Sequence, residues 1–254
     1  MLTIEDLSQS FGGVQAVNGV SLSVPEGAFY GLIGPNGAGK TTLIECASGV
    51  IRSFKGKVTF GGQDITGWPL HRVAGLGLVR TFQASRVFSR MSVLSNLMAG
   101  PPKQRGERFL DACLGLWRKE QGVFLGQARA LAREFELTDV TQNYGSELSG
   151  GQRRLTELTR ALMARPRMLL LDEPFAGVSP TNRARLAQQL NALCRDQGLS
   201  ILMVEHRLEL VEQLCDHIIV MAEGRVLAQG PMDELRRNSA VISAYLGEVV
   251  VDGA

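Results

Sequence analysis

No stretch of this chain limits its fold more than Gly34-Pro35-Asn36-Gly37-Ala38-Gly39-Lys40-Thr41. These residues fit G-x-x-x-x-G-K-[ST]. They lie between an apolar run, Ala28 to Ile33, that reads as a strand, and a stretch from about Lys40 that reads as a helix. A string of phosphates needs a loop whose backbone N–H groups converge on it. Glycines stand where side chains would block that approach, and the positive end of the following helix adds a favourable field. Lys40, one of five lysines in the chain, supplies a full positive charge. Thr41 offers a hydroxyl to the Mg2+ that accompanies a nucleotide, and Thr42 continues the first turn of the helix. A chance glycine-rich turn would not need the strand before it and the helix after it. No G-x-G-x-x-G occurs, so a dinucleotide site gets no support.

At 254 residues with 44% hydrophobic, the chain can bury a sizeable core, which excludes a disordered or fibrous protein. A formal charge of +2 is far from the one-sided balance of a dedicated nucleic-acid binder, and no nucleic-acid partner is expected. Cys46, Cys113, Cys194 and Cys215 are widely spaced with no C-x-x-C pair, so neither a zinc site nor a disulfide framework is signalled and a reducing cytosol is expected. The first ten residues lack the basic-then-apolar pattern of a secretory signal. Met168 to Leu171 and Ile218 to Ala222 are far shorter than the roughly 18 apolar residues of a spanning helix, so any membrane role is peripheral.

From residue 1 to about 83 the chain is β-rich, with Leu2 to Leu7, Val20 to Val24, Ala28 to Ile33 and Val58 to Phe60 as strands and one helix from about Lys40. After Gln83 it turns helical. Phe124, Ala128, Leu131, Ala132 and Phe135 make one apolar face, and Pro101-Pro102 breaks the chain before an arginine-rich amphipathic stretch ending near Trp117. This block runs to about Arg165. Strands and helices then alternate: Met168 to Leu171, a helix carrying Leu186, Leu190 and Leu193, Ser200 to Val204, and a helix carrying Leu208, Val211 and Cys215. The expected fold is α/β, with a mainly parallel core sheet, a β-rich N-terminal part and an inserted helical part.

The strand Met168 to Leu171 ends in Asp172-Glu173-Pro174, two carboxylates at the sheet edge where α/β proteins bind ligands. Asp172 suits a metal, and Glu173 suits orienting or deprotonating a water. The alternative is a solvated acidic turn. His206, just after the strand Ser200 to Val204, can reach the same edge, although a lone histidine is more often structural. Leu148-Ser149-Gly150-Gly151-Gln152 precedes the helical pattern Leu155, Leu158 and Leu162. It forms a second anion-binding helix start or, taken alone, an ordinary N-cap.

With all these motifs in this order, the sequence resembles the ATP-binding subunit of ABC transporters over nearly its whole length, since Leu-Ser-Gly-Gly-Gln is that family's signature. The resemblance implies a P-loop ABC-type ATPase using ATP and Mg2+. Residues 1–83 and 166–235 would form the nucleotide-binding core, 84–165 the helical subdomain and 236–254 a tail. It makes Phe11 the aromatic that stacks on adenine, with a core residue as the alternative, and Gln83 the residue near Mg2+ and the membrane partner. It makes Glu173 the catalytic carboxylate, His206 the contact to the γ-phosphate, and Ser149, Gly150, Gly151 and Gln152 the cap on a nucleotide bound by a second copy.

The implied partners are that second ATPase subunit, in a head-to-tail dimer, and transmembrane permease subunits at the cytoplasmic face of the cell membrane. One departure is Ser179, where the family usually has Asp or Asn. Phe11-Gly12-Gly13, Arg80-Thr81-Phe82-Gln83 followed by Arg86 and Phe88, and Ala244-Tyr245-Leu246-Gly247-Glu248 look like the branched-chain amino acid importer group, which often carries Tyr at the position of Gly150. ATPases of urea or amide import, of lipopolysaccharide export, and channel-free forms such as an iron–sulfur assembly subunit are the alternatives. DNA-repair forms carry coiled-coil insertions for which the spacing from Gln83 to Leu148 leaves no room.

Overall fold

The computed structural model describes residues 1–81, 86–102, 104, 106 and 117–244. Gln83 and the segment from Tyr245 lie outside them, as does most of the arginine-rich stretch before Trp117. The chain divides into two compact units. The first comprises Met1–Arg80, Arg167–Glu173 and the chain from Leu190 onward, and the second Thr81–Pro166 with Pro174–Gln189.

In chain order the first unit begins with β1 (Leu2–Phe11), β2 (Val14–Val24), β3 (Phe29–Ile33), α1 (Lys40–Ser48), β4 (Lys55–Phe60), β5 (Gln63–Asp64), α2 (Leu70–Gly75) and β6 (Leu78–Arg80). The second carries α3 (Val93–Met98), α4 (Trp117–Glu134) and α5 (Gly150–Met163). Then come β7 (Met168–Asp172), α6 (Pro180–Arg195), β8 (Ser200–Val204), α7 (Leu208–Leu214), β9 (His217–Ala222), β10 (Arg225–Gly230) and α8 (Met232–Leu235). The helix α6 starts in the second unit and ends in the first.

A six-stranded sheet has the order β10-β9-β3-β8-β7-β6, parallel except for β10. One of its faces packs into a core that also takes in Leu43 and Ile44 of α1 and the apolar residues of a second, antiparallel sheet ordered β2-β1-β4-β5. Its other face is covered by Val211 of α7 and Leu235 of α8, packed on Ile33, Ile218 and Val220. Coverage on both faces is why β7 and β8 are buried at every position and read as unbroken apolar runs.

Three details differ from the sequence reading. The hairpin β1–β2 extends to Phe11 and Val14, because its far half is solvated and carries no apolar alternation. A second helix, α2, interrupts the β-rich part. It has six residues and one buried side chain, Val73, too little to leave a periodic signal. Leu208 is 41% exposed, so α7 seats itself through Val211 and Leu214 instead.

In the helical unit Asn96 of α3 is fully buried. Its Oδ1 accepts from Phe88 N (2.8 Å), and its amide donates to the carbonyls of Ser92 (3.0 Å), Phe88 (3.1 Å) and Met91 (3.2 Å). Arg160 of α5 donates to Arg86 O (2.8 Å), and its guanidinium lies 5.0 Å from the Phe88 ring centroid. The segment 86–92 has no regular ladder to satisfy its backbone, so these side chains do that work. Asn96→Ala takes the acceptor from Phe88 N and an extra donor from three carbonyls that each keep a backbone partner, and is expected to cost about 1–3 kcal/mol of stability. Urea denaturation checks this, with Asn96→Asp, whose second carboxylate oxygen would face three carbonyl oxygens at a fully buried position, losing at least as much.

Candidate functional site

The order β3-β8-β7 brings three chain segments to one edge of the parallel sheet. The register pairs both Leu32 and Asp172 with Val204, so the loop after β3, the acids at the end of β7 and Glu205-His206 after β8 leave the sheet at one level. Ligands of open α/β sheets bind at this edge.

The loop from Gly34 to Gly39 is shaped by backbone packed against backbone. A Cβ on Gly34 would stand 2.0 Å from Met221 O, and one on Gly39 2.1 Å from Ala16 O, while φ at the two positions is +147° and +93°. Both must be glycine. Gly37 meets nothing within 4 Å but has φ +77°, so its backbone rather than its space calls for glycine. Pro35 O accepts from Ala38 N (3.2 Å), Asn36 and Gly37 are exposed, and Ala38 is buried. Lys40, 6% exposed, donates to Gly34 O (2.6 Å) and Pro35 O (2.8 Å), holding its ammonium across the loop it follows. Thr41 and Thr42, half-buried, open α1, and its first-turn N–H groups face the loop.

Asp172 is fully buried. Its Oδ2 accepts from Arg80 Nη2 at 3.1 Å, and Arg80 Nη1 lies 3.3 Å from Glu45 Oε1 on α1. The next residue, Glu173, has φ +49°, a left-handed conformation that costs a non-glycine residue about 1 kcal/mol. It is anchored by its N–H on Val204 O (3.0 Å), and its Oε1 is 3.0 Å from His206 Nε2. The two candidate acids and the candidate histidine therefore share one neighbourhood, which rules out the solvated-turn alternative for Asp172.

Phe11 closes β1 at the hairpin tip and is 49% exposed, so it is not a core residue. In the helical unit, Ser149 and Gln152 form a reciprocal cap on α5: Ser149 Oγ accepts from Gln152 N (3.2 Å) and Gln152 Oε1 from Ser149 N (2.9 Å). A Cβ on Gly150 would meet nothing within 4 Å, and one on Gly151 would reach Gly177 O at 3.4 Å. Ser179, the family departure, accepts from Asn182 N (3.4 Å) ahead of Pro180, so it serves α6 as an ordinary helix-starting residue.

Sequence reasoning overlooked Glu205 and the role of Arg80. The available signal was a charge at the end of an apolar strand, Leu-Val-Arg and Leu-Met-Val-Glu. Glu205 is 4% exposed. Its Oε1 accepts from His206 N (3.1 Å) and Arg207 N (3.3 Å), while among the described residues Oε2 has no hydrogen-bond partner. Burial pushes its carboxyl above the ordinary 4.5, the Arg207 and His206 N–H bonds pull it back, and the nearby Glu173 charge raises it further.

A phosphate loop at the edge of a parallel sheet, with a buried Asp and a Glu–His pair beside it, and, separately in the helical unit, a capped helix start, is the feature set of a P-loop nucleotide hydrolase of the ATP-binding cassette class. The family description "ABC transporter" matches residues 17–176, and a second, "Branched-chain amino acid ATP-binding cassette transporter", matches 225–251. The chain belongs to the ABC transporter family and is an ATPase of it.

Over 247 residues it is 40% identical to a probable branched-chain amino acid transport ATP-binding protein of Archaeoglobus fulgidus, covering 97% of this chain and 95% of that one. A high-affinity branched-chain amino acid transport ATP-binding protein of Pseudomonas aeruginosa is 37% identical, with 98% of each chain covered. A lipopolysaccharide export ATP-binding protein of Haemophilus influenzae is 34% identical, also with 98% of each covered. Among solved structures, a nucleotide-free ATP-binding cassette superposes with TM-score 0.83 at 33% identity, covering 96% of this chain and 98% of that one. Among the described residues no helix is long and apolar enough to cross a membrane.

The Glu205 environment sets a pH test. Its carboxyl holds a proton to higher pH in the folded chain than in the unfolded one. The stability this residue contributes is therefore complete below about pH 4.5 and is lost as pH rises through its folded value. Glu205→Gln, neutral throughout, should gain stability relative to wild type as pH rises from about 4.5 to 8, read as unfolding midpoints of both proteins. A gap independent of pH would contradict this.

Proposed function

We propose that this ATPase energises the uptake of branched-chain or related amino acids, docked on permease subunits at the cytoplasmic face of the cell membrane and paired with a second ATPase subunit. The carrying observation is the match of residues 225–251 to the branched-chain amino acid cassette family, since the catalytic motifs are common to importers and exporters alike. The lipopolysaccharide-export relative supplies the second reading, with an export partner in place of an import permease.

In this reading the exposed ring of Phe11 stacks on adenine and the loop from Gly34 to Thr42 holds the phosphates by backbone N–H groups and the Lys40 charge. Thr41, Asp172 and Gln83 would hold Mg2+. The donors suit it: they are hard oxygens, and among the described residues no three His, Cys, Asp or Glu cluster as a protein cage, so phosphate and water oxygens would complete the shell. The ion, when bound, offsets phosphate charge. Glu173 orients and deprotonates the attacking water, and His206, 3.0 Å from it, fixes that carboxylate and contacts the γ-phosphate.

Ser149, Gly150, Gly151 and Gln152 present a helix start to the nucleotide of the second subunit, and the open space at Gly150 leaves that approach clear. In the helical unit a cleft of about 900 Å³, lined by Met91, Leu94, Met98 and Leu125 together with the polar Gln104, Arg118 and Gln121, offers a seat for a permease helix with both apolar and polar contacts.

Lys40→Ala removes the ammonium from the loop and should weaken ATP affinity strongly in a direct binding assay. Glu173→Gln keeps the shape and the phosphate contacts, so ATP should still bind while turnover falls on the order of a hundredfold or more. The trapped nucleotide should then hold two subunits together, and size-exclusion chromatography with ATP and Mg2+ reads this directly. A monomer at saturating ATP would overturn the sandwich. For the cargo, the complex co-purified with its permease should show ATPase stimulated by branched-chain amino acids and not by urea.

A further inference from the structure

Arg80 has no place in the roles described so far, yet it is a deeply buried cation near the phosphate edge, with a side chain 2% exposed. It sits at the last position of β6, beside β7, and reaches two carboxylates at once: Asp172 at 3.1 Å and Glu45 at 3.3 Å. The two acids differ in kind. Asp172 is sealed, with a side chain 1% exposed, whereas Glu45 is 31% exposed and so has water available as well. Glu45 stands four residues after Thr41 on α1, one turn along the same face, so all the partners border the proposed metal position.

A sealed carboxylate needs a positive charge beside it to stay ionised, and either the guanidinium or a bound metal ion can supply it. We propose that Arg80 is the resident counter-ion of Asp172, that it opposes the entry of Mg2+, and that it yields Asp172 by moving onto Glu45 when the ion binds. This inference rests on the reading that Asp172 holds the metal. A guanidinium and a divalent ion against one carboxylate repel each other. Glu45, already within ion-pair distance, gives the guanidinium a second place to go without crossing the protein uncompensated. The Arg80–Glu45 pair then sets how much Mg2+ the site requires.

Opposite signs make the test. The measurement is the Mg2+ concentration at half-effect in tightening a non-hydrolysable fluorescent ATP analogue, read by polarisation and independent of turnover. Arg80→Met removes the competing charge and should lower that concentration tenfold or more, since one charge about 6 Å from a divalent ion costs it roughly that much even at water's dielectric constant. Glu45→Gln removes the fallback partner and should raise it several-fold. In the double variant the Glu45 effect should vanish, since Glu45 acts through Arg80.

An Arg80→Met protein that needs as much Mg2+ as wild type, or more, overturns the proposal. If Arg80→Met does not fold, an unchanged Mg2+ requirement in Glu45→Gln overturns it. Asp172→Asn separates the two layers. If that variant keeps the wild-type requirement, the metal role of Asp172 fails. If it loses the Mg2+ effect while Arg80→Met and Glu45→Gln match wild type, only the counter-ion role fails.

Discussion

The chain's phosphate loop keeps its form because backbone presses on backbone at both of its ends, Gly34 against Met221 and Gly39 against Ala16. The first contact ties the loop to β9 of the parallel sheet, the second to β2 of the antiparallel one. The two sheets are therefore joined at the loop as well as through the apolar residues between them. Lys40, bonded to Gly34 O and Pro35 O, closes the loop from inside. With the loop set, the β3-β8-β7 order decides what faces it, and the equal register of Leu32 and Asp172 with Val204 decides at what height.

Much of this was legible from residue order. Strand, loop and helix around Lys40 are fixed by glycine spacing, and the unbroken apolar runs of β7 and β8 announce a sheet covered on both faces. The placement of Asp172, Glu173 and His206 at one edge follows from parallel strands, whose C-terminal ends all emerge on the same side. What stayed hidden has physical causes too. α2 is too short for a period, and the outer half of the β1–β2 hairpin lacks a buried face. The pairing of Arg80 with Asp172 joins residues 92 positions apart that no local pattern connects. Gly150 illustrates a different gap: the sequence flags it as an anomaly of its group, and only the empty space around it shows that nothing among the described residues demands its smallness.

The helical unit solves a separate problem. Its segment 86–92 has only the single bridge of Ser92 to Tyr144 and a few backbone bonds from Gly145 and Ser146, and Asn96 and Arg160 add to them. Because Arg160 rides near the end of the helix whose first turn carries Gly150 and Gly151, that helix start and the chain emerging after Gln83 belong to one braced piece. Ser179 shows the same economy, accepting from Asn182 N at the start of α6 where the resemblance leads to an expectation of Asp or Asn.

The left-handed backbone at Glu173 has an evolutionary reading. At φ +49° a glycine or asparagine would sit with less strain than glutamate, so substitutions that relax this turn remove the acid that faces His206. With the catalytic role proposed for Glu173, selection for a sturdier fold and selection for turnover would pull in opposite directions at this one residue. Relatives in which a flexible residue has replaced the acid should be found among proteins that hold ATP without consuming it, more robust than this chain and no longer motors.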